Sequence, residues 1–80
     1  MHIKIYGPYR VIDIGNNDPL YQVVEMAHPE DTSMYYELSP NRSYTIRQSA
    51  YNRCRRLNEK WQKENWDRPD LLKCWEVSRV

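Results

Sequence analysis

Between residue 45 and about residue 65 the apolar side chains recur as Ile46, Ala50, Cys54, Leu57 and Trp61. Steps of four, four, three and four trace one stripe along an α-helix. Thr45-Ile46-Arg47-Gln48 fits a capping box, in which the Thr hydroxyl and the Gln side chain satisfy backbone N–H groups of the first turn. Trp66-Asp67-Arg68-Pro69 ends the helix, because a proline biases the residue before it away from helical geometry. A helix with one apolar stripe needs a second apolar surface to cover it, and the rest of the chain has to supply that surface.

The amino-terminal half reads as strands. Ile3 and Ile5 alternate with His2, Lys4 and Tyr6, the period-2 pattern of a half-buried strand. After Gly7-Pro8 comes Tyr9-Arg10-Val11-Ile12-Asp13-Ile14, rich in β-branched residues. The turn formers Gly15-Asn16-Asn17-Asp18-Pro19 precede Leu20-Tyr21-Gln22-Val23-Val24-Glu25-Met26, which reads as the returning strand of a hairpin. A loop over residues 28–33 leads to Met34-Tyr35-Tyr36-Glu37-Leu38, a short strand with Met34, Tyr36 and Leu38 on one face. These three runs suggest an antiparallel meander. The tail, residues 71–77, is apolar enough for a last strand, and a helical turn over 70–73 is the alternative. The expected fold is α+β: an antiparallel sheet of three to five short strands with one long amphipathic helix on one face, in the order β-β-β(-β)-α-β. Eighty residues make one domain, residues 1–80, and not two.

Composition narrows the functional classes. Ten aromatics, seven Tyr and three Trp with no Phe, argue against disorder. Each of those rings carries a polar group that stays in contact with water or a partner while the ring packs. No apolar run reaches the ~18–20 residues that span a bilayer, and residues 1–6 lack the apolar core of a signal peptide. The chain is therefore expected in the cytosol, with no membrane partner. Cys54 and Cys74 are too few for a disulfide framework and lie in no Cys-x-x-Cys pattern. A bridge between them is disfavoured in a reducing compartment, so both thiols are expected to be free.

The net charge of +1 hides an asymmetry. Residues 1–41 hold two cations and six anions, and residues 42–63 hold seven cations against the single anion Glu59. At 100° per residue, Arg55, Arg56 and Lys63 fall opposite the apolar stripe, among Asn52 and Glu59. Arg47 and Arg53 flank the stripe and border the sheet, and Lys60 and Tyr51 complete the surface. One reading of these cations is a solvated face whose flanking arginines pair with acids of the sheet. The other is an electrostatic docking surface for an acidic partner or for phosphates, formed by Arg47, Tyr51, Arg53, Arg55, Arg56, Lys60 and Lys63.

Catalytic and metal chemistry find little support. Cys54 lies in the middle of the stripe, as a small core residue does, and only His2 and His28 are available as bases. His28, Glu30 and Asp31 share a loop with neither zinc nor calcium spacing. Asp13 and Glu25, which face each other across the hairpin in one alignment, are more simply solvated, and no glycine-rich phosphate loop is present. The chain thus reads as non-enzymatic and free of cofactors. As a nucleic-acid binder it has arginines beside Tyr44, Tyr51 and Trp61 for phosphate contact and stacking. Its sheet half is acidic, however, and its pI of about 7.8 is below that expected of a dedicated binder. Tyr, Trp and Arg are also the residue types of protein-interface hot spots.

Short strands of the Tyr9-Arg10-Val11-Ile12-Asp13 type, a meander, and a helix carrying Ala50, Cys54 and Leu57-Asn58 resemble the small accessory proteins of bacteriophages and mobile elements. That group includes inhibitors of host defence, anti-CRISPR proteins among them. The resemblance lies in the pattern of elements and transfers no functional residue. It implies a non-catalytic inhibitor, in the host's cytoplasm if phage-encoded, that occludes a surface on a larger host protein or nucleoprotein complex, and the basic helix face adds that this surface is acidic. A small nucleic-acid-binding regulator using the basic helix face is the alternative.

Overall fold

The computed structural model describes residues 5–31, 33–40 and 42–77. It is the expected α+β arrangement of an antiparallel sheet and a long helix. The strands are β1 (Ile5–Tyr6), β2 (Tyr9–Asp13), β3 (Tyr21–Met26), β4 (Tyr35–Glu37), β5 (Ser43–Tyr44) and β6 (Glu76–Val77), and the helices are α1 (Arg47–Glu64) and α2 (Pro69–Cys74). The expected alternation at residues 2–4 lies outside the described residues.

Strands β2, β3 and β4 form the meander in that order. Strand β3 is its centre. One of its edges pairs with β2, from Tyr9↔Glu25 to Asp13↔Tyr21. The other edge is shared by two short strands: β4 covers Val24 to Met26 and β5 covers Tyr21 and Gln22. Asp13 and Glu25 therefore sit at opposite ends of the hairpin and do not face each other. The period-2 alternation puts Tyr21 and Val23 on the helix side and Gln22, Val24 and Met26 on the other. Val23 is 1% exposed and Val24 is 0%, so both faces of β3 are buried. Such a strand reads as a near-continuous apolar run, as Val23-Val24 does.

Helix α1 lies over the Tyr21–Val23 face. Its Ala50 and Cys54 are buried with Val23, and Tyr9, Val11, Leu38, Tyr44 and Leu57 pack around that cluster. The predicted stripe holds from Ala50 to Trp61 and fails at its first member. Ile46 is the N-cap residue, in extended backbone and 64% exposed, where the chain turns from β5 into the helix. The capping box does not form: the N-cap has no side-chain hydrogen bond, and the Gln48 amide instead donates to Asn52 Oδ1 at 2.9 Å. Met34, Tyr36 and Leu38 do share the helix side. Only Leu38 reaches the core, while Met34 and Tyr36 remain exposed beyond the helix.

The helix ends at Glu64, before the predicted stop. Asn65 closes it: its backbone N–H donates to Trp61 O at 3.0 Å and its side-chain Nδ2 to the same oxygen at 2.9 Å. Pro69 does not terminate a helix but begins α2, at a position where a missing N–H costs nothing. The tail is thus both of the alternatives in turn, a helix with Leu72 buried and then β6. Strand β6 does not join the meander. It pairs with β1 through Ile5↔Val77 and Tyr6↔Glu76, so a second, two-stranded sheet ties the two ends of the chain together. Trp61 and Trp75 are half-buried in this carboxy-terminal part, and Trp66 projects into solvent.

Candidate docking surface

The outer face of α1 is held in place by a polar lock on its inner face. On β2 the even-numbered residues bond to β3: Pro8 O accepts from Met26 N, and Ile14 N donates to Leu20 O. The N–H and C=O groups of Tyr9, Val11 and Asp13 must then point away from β3. At Tyr9 that outward pair meets the side chain of Asn58, which is buried at 3% exposure. Tyr9 N donates to Asn58 Oδ1 and Asn58 Nδ2 donates to Tyr9 O, both at 3.1 Å. The amide imitates one rung of a neighbouring strand and fixes both the rotation and the height of α1. Arg10 curls over the same edge, with Nη1 donating to Gly7 O at 2.6 Å and to Tyr9 O at 2.7 Å. Burial lowers the pKa of its guanidinium, and the nearby Cys54 opposes that shift.

With the helix so oriented, Arg55, Arg56, Lys60 and Lys63 are all exposed. Arg55 Nε lies 3.6 Å from Glu59 Oε1, one turn along the same helix. The one acid of the basic segment is thereby engaged. Arg56, Lys60 and Lys63 stand at i, i+4 and i+7 and have no ion-pair partner among the described residues. The two flanking arginines differ. Arg47 is exposed and turns toward Tyr51, whose hydroxyl accepts from its Nη2 at 3.1 Å while its ring lies 5.1 Å beneath the guanidinium carbon. That hydrogen bond raises the Arg47 pKa. Arg53 is half-buried, and its Nη1 is enclosed without a hydrogen-bond partner among the described residues. Of the seven residues expected to form one surface, Arg55, Arg56, Lys60 and Lys63 share the outer face. Arg47 and Tyr51 form a separate pair beside β2, and Arg53 points inward.

The sequence pattern gives Asn58, Gly7 and Arg10 no part in orienting the helix. The available signal was Asn58 itself, four residues after Cys54 and so on the buried side of the helix.

Of the two free thiols, Cys54 is buried and Cys74 is exposed. Burial pushes the Cys54 thiol from about 9 up to about 11, against the opposing pull of Arg10. A thiol with so little thiolate is a poor nucleophile. Because the folded state holds this proton more tightly than the unfolded chain, its contribution is intact below about pH 9 and is lost as pH rises to about 11. We expect stability to fall over that window by on the order of 2 kcal/mol from this group. Tyr9, whose pKa is raised by burial and then by Glu25 and Glu64, adds to the same alkaline loss. Urea melts across the window should show Cys54→Ala with a shallower decline than the parent, and an unchanged decline would refute the assignment.

Among the described residues no three His, Cys, Asp or Glu side chains are placed to share a metal ion, and no helix is long and apolar enough to cross a membrane. No protein-family model, no curated protein and no solved structure matches this chain.

Proposed function

We propose that this chain is a non-catalytic binding protein that docks through the outer face of α1 on an acidic surface of a larger host protein or nucleoprotein complex, as a phage-type inhibitor does. The observation that carries this reading is the triangle of Arg56, Lys60 and Lys63, which have no ion-pair partner among the described residues. Like charges one helical turn apart destabilise a helix by a few tenths of a kcal/mol per pair. Lys63 offsets part of this by its place in the last turn, where the helix dipole favours a cation. Glu59 and Glu64 stand three residues after Arg56 and four after Lys60, but neither makes an ion pair with them among the described residues, and an acidic partner supplies that pairing.

A protein surface fits the patch better than a nucleic acid does. Arg56, Lys60 and Lys63 span two turns and are bounded by Glu59 and Glu64, and the sheet half of the chain is acidic. A binder of phosphate backbone gains from a field that extends over many contacts.

The test is Arg56→Glu combined with Lys60→Glu. Both side chains are exposed, so thermal stability should stay within ~0.5 kcal/mol of the parent. Capture of the partner from host lysate should fall by about tenfold or more, since like-charge juxtaposition at an interface costs several kcal/mol. The same captures run with nuclease separate the partner classes: retention of a protein supports this reading, and loss of all material assigns the face to nucleic acid. Equal recovery by parent and variant would show the face to be only a solvated surface.

A further inference from the structure

Beyond Asn58 the outer edge of β2 is open. Tyr9, the first outward-pointing residue of β2, is closed by the Asn58 amide. The next two, Val11 and Asp13, present their backbone N–H and C=O groups on the same side by the same alternation. Among the described residues they are met by no other strand. Instead, the edge opens into a groove of about 290 Å³ lined by Val11, Ile12, Asp13, Tyr21, Arg47 and Tyr51. The Arg47–Tyr51 pair is also a wall of a second groove, floored by Ile46 and Gln48. The side chain of Ile46 in that second groove is exposed although apolar.

We infer that this edge accepts an extended, acidic segment of a partner protein, which adds as a strand to β2 and takes the two rungs after the one that Asn58 occupies. Main-chain hydrogen bonds to Val11 and Asp13 supply the binding, and alternate side chains of the segment enter the groove. The acidic preference follows from which charges the groove leaves free. Asp13 keeps its charge but turns Oδ1 to the hairpin turn, where it accepts from Gly15 N at 3.0 Å and from Leu20 N at 3.3 Å. Arg47 is exposed and, among the described residues, is bonded only to the neutral Tyr51 hydroxyl. It presents a planar guanidinium beside a ring, suited to a carboxylate. This surface is distinct from the outer face of α1, and each can be disabled without touching the other.

A displayed library of random dodecapeptides, selected on the full chain, tests the inference. Enriched peptides should alternate apolar residues and carry Glu or Asp. Arg47→Glu should weaken them by about tenfold, as loss of a charge-assisted contact does. Val11→Pro should also weaken them, because it deletes an N–H that β3 does not use. The matched lesion Tyr35→Pro, on the outward side of β4, should leave binding unchanged, as should Arg56→Glu with Lys60→Glu. Amide exchange on the unmutated chain needs no variant to fold: with a selected peptide bound, the Val11 and Asp13 amides should become protected. Protection at Tyr35 and Glu37 instead, peptides without acids, binding indifferent to both Arg47→Glu and Val11→Pro, or failure to enrich any peptide would each overturn it.

Discussion

Gly7→Ala should leave little cooperative folding. Gly7 has φ of 150°, a conformation that side-chain-bearing residues rarely adopt. A Cβ there would also collide with the Asn58 carboxamide, lying 2.7 Å from its Cγ. Backbone strain costs ~1–3 kcal/mol, and displacing the amide strands the Tyr9 N–H and C=O at a further ~1–3 kcal/mol. A domain of this length has only about 4–12 kcal/mol to lose. Asn58→Ala alone keeps the glycine conformation and should cost about 2–4 kcal/mol. In the double variant the collision partner is gone, so its cost should fall short of the sum of the two by about 1–3 kcal/mol. Urea melts of the four proteins measure this coupling. Additive costs would mean that Gly7 and Asn58 are not packed as described.

The second large effect belongs to the centre of the sheet. Val23 is almost fully buried against Ala50 and Cys54, and Val23→Ala should cost about 2–3 kcal/mol by lost burial and the void left behind. Leu57, the residue that spacing alone marks as an anchor, is only half-buried, and Leu57→Ala should cost about 1–2 kcal/mol. Arg55→Ala, exposed and paired only within its own helix, should stay within ~0.5 kcal/mol of neutral. If the melts place Leu57 above Val23, then the main core lies under the later turns of α1 and not against β3.

The elements legible in the sequence were those with a local period. The spacing from Ala50 to Trp61 fixed the phase of α1, and with it the outward direction of Arg56 and Lys63. The same spacing overran at Ile46, because periodicity records which side a residue is on and not whether anything lies opposite. Strand β5 has two residues and no pattern of its own; it exists because β3 has an edge left over beyond β4. The pairing of β1 with β6 joins residues 70 and 72 positions apart, and nothing local announces it. Residues 71–77 were ambiguous because Leu71, Leu72, Cys74 and Trp75 satisfy either period. The Asn58 lock was hidden for a different reason. A polar residue on an apolar face looks like an interruption until its partner, here a bare backbone, is known.

The separation of aromatic types along the chain makes two halves of the molecule visible to different light. All three tryptophans lie between residues 61 and 75, at the end of α1 and around α2, whereas Tyr9, Tyr21 and Tyr44 pack about the main core. Indole emission therefore follows the region where the chain ends are tied together, and the near-ultraviolet dichroism of phenol rings follows the meander. A spectroscopist who records only tryptophan fluorescence would watch the clasp open and would not see whether the sheet had melted with it. Coincident curves from the two signals would establish that clasp and sheet unfold as one unit. Separated curves would identify the clasp as the first part of the fold to let go.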